Sequence, residues 1–354
     1  MTYLASSCVL FGRALFGRVS SSRVLFGRVS SGCALFNRAL FNRALFAAIV
    51  GACLIGATVL AHRAAAQAGS ASTNAVKSRT IVVMLGTGTP IPDPDRSGPA
   101  VAIVVDSVAY LFDAGAGVVR RAAAAFRDGV PGLRAPQLSR LFLTHLHSDH
   151  TMGVNDVIFT PWIQGRVAPL EIYGPPGTKR LVNGILDGNY DDIQERLKSA
   201  GGPAKDGWKV NVHEIAEGEV YKDQRIAVRA FEVPHSAWKH AFGYRITTPD
   251  RVIVLSGDAR SNPAIARECN GCDILIHEVY SDSGFKTIPA VRQPYHAQAH
   301  TSATQLGTIA TAAGPGKLIL YHQLFFGASE EQLLKEVRST YSGIVISAKD
   351  LQKY

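Results

Sequence analysis

Within Thr144-His145-Leu146-His147-Ser148-Asp149-His150, three imidazoles and a carboxylate fall in six successive positions, directly after an apolar run. Neutral imidazoles and a carboxylate suit a borderline metal ion such as zinc, and a loop can aim neighbouring side chains at two centres where a helix presents one face. Structural zinc is usually closed by four ligands with cysteine among them, and no cysteine lies nearby. The chemistry these residues suggest is therefore metal-assisted rather than structural. Further ligand types recur at the ends of apolar runs: His235 after Phe231-Glu232-Val233-Pro234, Asp258 after Leu255-Ser256-Gly257, Glu278 after Ile276-His277, and His322 after Leu320-Tyr321. Any one of them alone is more often a satisfied structural residue than a ligand. Their repetition at successive strand ends reverses that reading.

The elements that must position these residues follow from the apolar and β-branched runs. Strands are expected at Thr80–Leu85, Ala100–Val105, Ala109–Phe112, Arg140–Thr144, Leu170–Tyr173, Lys209–Ile215, Arg225–Val233, Phe242–Thr247, Arg251–Leu255, Ile274–Ile276 and Lys317–Tyr321. Helices are expected at Val118–Phe126 and Val154–Thr160, with one or two over Thr178–Ala200. Strands alternating with helices imply an α/β architecture with the site along one edge of packed sheets. Asp113, at the end of one strand, is a candidate acceptor for the second nitrogen of a ligating histidine, with loop capping as its alternative role. Gly86-Thr87-Gly88-Thr89-Pro90 lacks the dinucleotide-binding fingerprint, and a proline stands where a helix would start.

Residues 1–43 form an Arg-rich low-complexity leader with a five-residue cadence that fits neither a helix face nor a strand. The apolar run 44–61 and the small residues up to 69 read as a secretory signal or, alternatively, an uncleaved membrane anchor. A polar linker, 70–78, leads into one domain at 79–354. Export to the periplasm or the medium is the expected location; the alternative is anchorage outside the cytoplasm, with membrane contact only through residues 44–61. The formal charge of +9 comes from nine basic residues before Asp93; the remainder holds 28 basic and 28 acidic residues. A neutral folded part lacks the global footprint of a nucleic-acid binder. Cys269-Asn270-Gly271-Cys272 has no second cysteine pair and reads as free thiols or a small disulfide, away from the active site.

Taken in order, Leu85-Gly86-Thr87-Gly88, Phe112-Asp113-Ala114-Gly115, Thr144 to Gly153, His235 before Gly243-Tyr244, Ser256-Gly257-Asp258, His277-Glu278, His300-Thr301-Ser302 and His322 resemble the metallo-β-lactamase superfamily. Within it they resemble the ribonuclease Z-like group and related sulfatases and phosphodiesterases, from about Thr80 to Tyr354. The resemblance implies an αββα sandwich of two packed mixed sheets flanked by helices, with two zinc ions per chain. By that resemblance His145, His147 and His235 hold one zinc, Asp149, His150 and His322 the other, and Asp258 bridges both. A metal-bound hydroxide would then attack an ester, with Asp149 orienting or deprotonating it. His300, matching the family's His-Ser-Thr element, would serve the leaving oxygen, with Glu278 positioning it.

Ribonuclease Z proper carries a long tRNA-gripping insertion between the equivalents of His235 and Asp258, which here lie only 23 residues apart, room for two strands and a turn. The expectation is therefore an exported, zinc-dependent hydrolase of small anionic esters, phosphodiesters or aryl sulfates, with nucleic acid disfavoured and homo-oligomerisation left open. The alternatives are a ribonuclease Z-type tRNA 3′-processing endoribonuclease and a non-catalytic zinc-binding protein. Trp162, Trp238 and Tyr295 are candidates to line the pocket, though aromatic residues more often pack.

Overall fold

In the computed structural model, which describes residues 79–354, β-branched and aliphatic runs form strands in two sheets. The first sheet runs β1 (Thr80–Gly86), β2 (Ala100–Val105), β3 (Val108–Phe112), β4 (Arg140–Phe142), β5 (Leu170–Gly174) and β6 (Val210–Glu214). β1 to β3 pair antiparallel and β3 to β6 pair parallel. The second sheet is built from β7 (Gly218–Lys222), β8 (Ala227–Glu232), β9 (Phe242–Thr247), β10 (Val252–Leu255), β11 (Ile274–Tyr280), β12 (Leu318–Leu324) and β13 (Val345–Ser347), adjacent in that order. It is antiparallel from β7 to β10 and parallel from β10 to β13.

The two-residue side-chain period of a strand divides the core into layers. On β1 and β2, Val82, Met84, Val101 and Ile103 join Tyr244, Ile253, Ile276 and Ile319 between the sheets. Their alternates Val83, Leu85, Ala102 and Val104 pack against the helices Val118–Arg127 and Val154–Ile163. On the far side, Val254, Leu275 and Leu320 face the helices Pro263–Cys269, Ala303–Ala313 and Glu330–Arg338. Each aliphatic side chain so buried contributes about 1.5–3 kcal/mol. The result is the αββα sandwich of two mixed sheets that the resemblance implies.

The structure resolves or extends several local expectations. Thr178–Ala200 is two helices, Thr178–Gly188 and Tyr190–Lys198, separated at Asn189, whose side chain donates to the Ile185 carbonyl at 2.7 Å. Two strands go beyond those expected: β7, a Glu- and Lys-bearing edge strand with little apolar pattern, and β13, only three residues long. The helix after the histidine motif continues to Ile163 and buries Trp162, whose indole donates to the Ala204 carbonyl at 2.7 Å. Trp162 thus packs the core and lines no pocket. Cys269 and Cys272 are disulfide-bonded, in the apolar layer between the second sheet and its helices. The leader, the 44–61 run and the linker lie outside the described residues. Among the described residues no helix is long and apolar enough to cross a membrane.

Candidate active site

The ligand-type side chains leave the strand ends at one edge of both sheets. β4 ends at Phe142, and the chain passes His145 and reaches His147 in extended backbone before a helical turn, Ser148–Thr151, carries Asp149 and His150. His235 lies three residues beyond β8 and Asp258 three beyond β10. His322 stands within β12 at φ 45°, where Glu278 pairs with Tyr321 and Val279 with Gln323, leaving it opposite no residue. This bulge turns its side chain out of the pleat and into the site.

These side chains converge in groups whose ligand atoms all lie within 4.8 Å of one another: His145, His147, His235 and Asp258; Asp149, His150 and His322; and Asp258, His300 and His322. His147 Nδ1 is 2.9 Å from His145 Nε2 and 3.0 Å from His235 Nε2. His322 Nε2 lies 3.2 Å from Asp149 Oδ2 and 3.4 Å from Asp258 Oδ2, and His150 Nε2 lies 3.3 Å from Asp258 Oδ1. Asp258 is therefore the carboxylate common to both sides of the cluster.

Backbone geometry makes that placement feasible. Gly257 has φ 62°, and a Cβ there would come within 2.8 Å of the Phe242 carbonyl and 2.9 Å of Thr144 Cβ. Gly257→Ala should destabilise the fold by about 3 kcal/mol through left-handed strain and overpacking. A thermal or urea melt measures this, and a stability change under 1 kcal/mol would contradict it.

Asp113 anchors the motif from β3. It accepts from the Thr144 backbone N–H at 2.8 Å, from Thr144 Oγ1 at 2.9 Å and from His150 Nδ1 at 2.8 Å. The first two fix where the histidine loop starts; the third fixes the ring of His150.

Burial decides most of the site's electrostatics. It pushes His145 well below the usual imidazole range, with neighbouring His150 adding to the effect, and takes His147 down to about 4. His150 would also fall on burial, but Asp258 and Asp113 hold it well above that range. Burial works against the Asp258 carboxylate, and His322 and His150 more than offset it, keeping the group well below the usual carboxylate range. His150 Nε2 and Asp258 Oδ1 are buried without any hydrogen-bond partner. Unpartnered buried polar atoms are costly, and a coordinated cation relieves both. Five imidazoles and two carboxylates match the nitrogen and oxygen donor set that zinc takes.

His300 and Glu278 lie beside the cluster. His300 Nδ1 is 3.3 Å from Glu278 Oε2 and 3.9 Å from Asp258 Oδ2, the first contact not aligned as a hydrogen bond. Glu278 Oε1 accepts from the Thr301 N–H at 2.7 Å, so it fixes the backbone that carries His300. Burial pushes Glu278 well above the usual carboxylate range, with Asp258 pushing the same way, and takes His300 down to about 4 against the pull of Asp258. Ser302 fills the helix-capping role with Gln305, leaving His300 free of it.

His296 lies in the helix Gln293–Ala299 with its ring 5.8 Å from His300. His240 meets Glu232 at 3.9 Å and takes no part in the cluster. Trp238 does reach the site, its indole N–H 2.5 Å from His147 Nε2, and Tyr295 is 47% exposed. A cleft of about 790 Å³ opens beside Asp149, lined by Pro90, Ile91, Pro92, Pro94 and Met152. The sequence reading passed over this wall; its signal was the prolines spaced two apart at 90, 92 and 94.

Residues 109–323 match the beta-lactamase superfamily domain. A protein named Ribonuclease Z from Mycobacterium bovis BCG is 32% identical over 277 residues, covering 77% of this chain and 96% of that protein. One of the same name from Mycobacterium avium is 33% identical over 281 residues, with 77% and 96% covered. Among solved structures, the metallo-beta-lactamase fold protein YhfI from Bacillus subtilis superposes with a TM-score of 0.58 at 20% identity, over 78% of this chain and all of that one. The short form of human tRNase Z does so with a TM-score of 0.57 at 22% identity, over 77% of this chain and 98% of that one. With this fold, this cluster and these relatives, the chain belongs to the metallo-β-lactamase superfamily, as a hydrolase of ester bonds in its ribonuclease Z-like group.

Proposed function

We propose that the protein is a zinc-dependent phosphodiesterase that cleaves RNA as an endoribonuclease of the ribonuclease Z type. The observation that carries this reading is the 32% identity with a protein of that name across 96% of its length. Precursor tRNA is the first substrate to try, which reverses the preference for small esters drawn from sequence. His145, His147 and His235 would hold one zinc ion and Asp149, His150 and His322 a second, with Asp258 between them. Zinc, when bound, makes a coordinated water acidic enough to attack near neutral pH and offsets charge on a phosphoryl oxygen. Asp149, at the mouth of the cleft, orients the attacking water and takes its proton. Neutral His300 donates a hydrogen bond from its ring N–H to the leaving oxygen as charge develops there, and Glu278 holds the loop that presents it.

His300→Ala should therefore lower turnover of a diester with a poor alkoxide leaving group by roughly 10²–10³-fold, the scale of removing one hydrogen-bond donor to a developing oxyanion. The same change should cost under about tenfold with a p-nitrophenyl leaving group, which carries its own charge with little help from a donor. Equal losses on both substrates would remove His300 from that role.

A small-ester reading is favoured by one structural feature. The stretch from His235 to Asp258 contains only β9, β10 and their turns, so nothing in it extends outward to grip a folded RNA. The proposed export of residues 79–354, which the disulfide suits, points the same way. Purified zinc-loaded protein should be offered precursor tRNA, bis-p-nitrophenyl phosphate and an aryl sulfate in parallel. Cleavage at the 3′ side of the tRNA body at substoichiometric enzyme supports the first reading. Turnover of the small esters with intact tRNA would replace it with the second, and turnover of none would support a zinc-binding role.

A further inference from the structure

When one nitrogen of a neutral imidazole holds a metal, the other carries the ring's only N–H and needs an acceptor. Three rings of the cluster have one. His150 Nδ1 faces Asp113 Oδ2 at 2.8 Å, and His235 Nδ1 faces the Ala299 carbonyl at 2.7 Å. His145 Nδ1 lies 3.0 Å from Thr144 Oγ1, which gives its own hydrogen to Asp113 and so accepts here. His145 and His235 thus each turn a bare Nε2 toward the cluster.

His147 is wired the other way. Its inward atom is Nδ1, and its outward Nε2 meets the indole N–H of Trp238 at 2.5 Å. An indole nitrogen only donates. While this contact stands, the hydrogen of His147 sits on Nδ1 and points at the bare nitrogens of His145 and His235, 2.9 and 3.0 Å away. Holding a metal through Nδ1 would place that hydrogen on Nε2 instead, directly against the Trp238 hydrogen. Two donors cannot keep that separation.

We propose that Trp238 is a latch on metal loading: it rests on His147 while that ring carries its hydrogen inward, and a metal entering the three-histidine group turns the indole away. The residue is placed for such a movement. Trp238 follows the ligand His235 by three residues in a tight turn, with Ser236 at φ 48° and its own N–H donating to the His235 carbonyl at 3.0 Å. Its side chain is 36% exposed and packs edge-on to His147 at a ring separation of 5.0 Å, so it can leave without opening the core. The inference rests on the assignment of His145, His147 and His235 as ligands.

The full chain, grown with 5-fluorotryptophan, offers three fluorine signals, from Trp162, Trp208 and Trp238. Trp238→Phe assigns one of them and keeps an aromatic ring while removing the donor. Titrating chelator-treated protein with zinc should shift the Trp238 signal in step with the first equivalent bound and leave that of buried Trp162 in place. In competition with a chromogenic chelator, Trp238→Phe should bind zinc on the order of tenfold more tightly than the unaltered chain, the lower end of what outer partners of metal ligands usually alter. A packing role alone would leave the two affinities equal. Equal affinities, or a stationary Trp238 signal while zinc binds, would overturn the latch. Failure of both proteins to take up zinc would instead overturn the ligand assignment, and the latch with it.

Discussion

Asp258→Ala should strip the protein of most of its bound zinc and lower hydrolysis by roughly 10³-fold, the scale on which removing one member of a buried charge cluster acts. Its two oxygens lie 3.3 Å from His150 and 3.4 Å from His322, and it also belongs to the group with His145, His147 and His235. No other carboxylate among the described residues touches both sides of the cluster in this way. Alanine leaves five imidazoles, four of them buried, converging on a space with no anion between the two halves. Metal analysis on the purified variant, beside turnover of whichever substrate the wild type cleaves, decides the matter. Full zinc content with unchanged turnover would show that Asp258 is dispensable.

Asp113→Ala comes second in expected effect, through structure first and chemistry second. Three buried donors lose their acceptor at once: the Thr144 N–H, the Thr144 hydroxyl and His150 Nδ1. At about 1–3 kcal/mol for each buried group left unpaired, the fold should lose on the order of 4 kcal/mol after partial relaxation. Zinc affinity should fall about 10–100-fold because the ring of His150 is no longer held. Asp113→Asn separates the two effects, since an amide oxygen can still accept from one donor while its NH₂ opposes another. The alanine variant should melt earlier and bind zinc more weakly, with asparagine intermediate in the melt. An alanine variant with wild-type stability would mean that water replaces the carboxylate, contrary to the closed packing around it.

Much of this was legible from sequence because a period-two apolar run ending in a ligand type is a local signal. His145 to His150 stood out by their own spacing, whereas His235, Asp258 and His322 became legible through their repetition at successive strand ends, and the fold then brought them together. Asp113 was only half legible: its strand-end position was visible, whereas its three donors come from the loop after β4 and a helical turn, 31 to 37 residues on. The His147–Trp238 contact depends on a left-handed turn at Ser236, which no composition rule announces at a serine. The bulge at His322 was hidden as well, since it is a mismatch between two strands and neither strand carries a mark of it. β7 escaped notice because an exposed edge strand has little apolar pattern to read.

The first sheet supplies His145, His147, Asp149 and His150 from one side of the cluster, and the second supplies His235, Asp258 and His322 from the other. Any ion held there is a cross-link between the two halves of the chain, tying residues as much as 177 positions apart. Folding and metal supply then become one equilibrium. Each tenfold rise of free zinc above its dissociation constant adds about 1.4 kcal/mol to the stability of the sandwich. In a zinc-poor medium the same protein would lack that contribution to its stability.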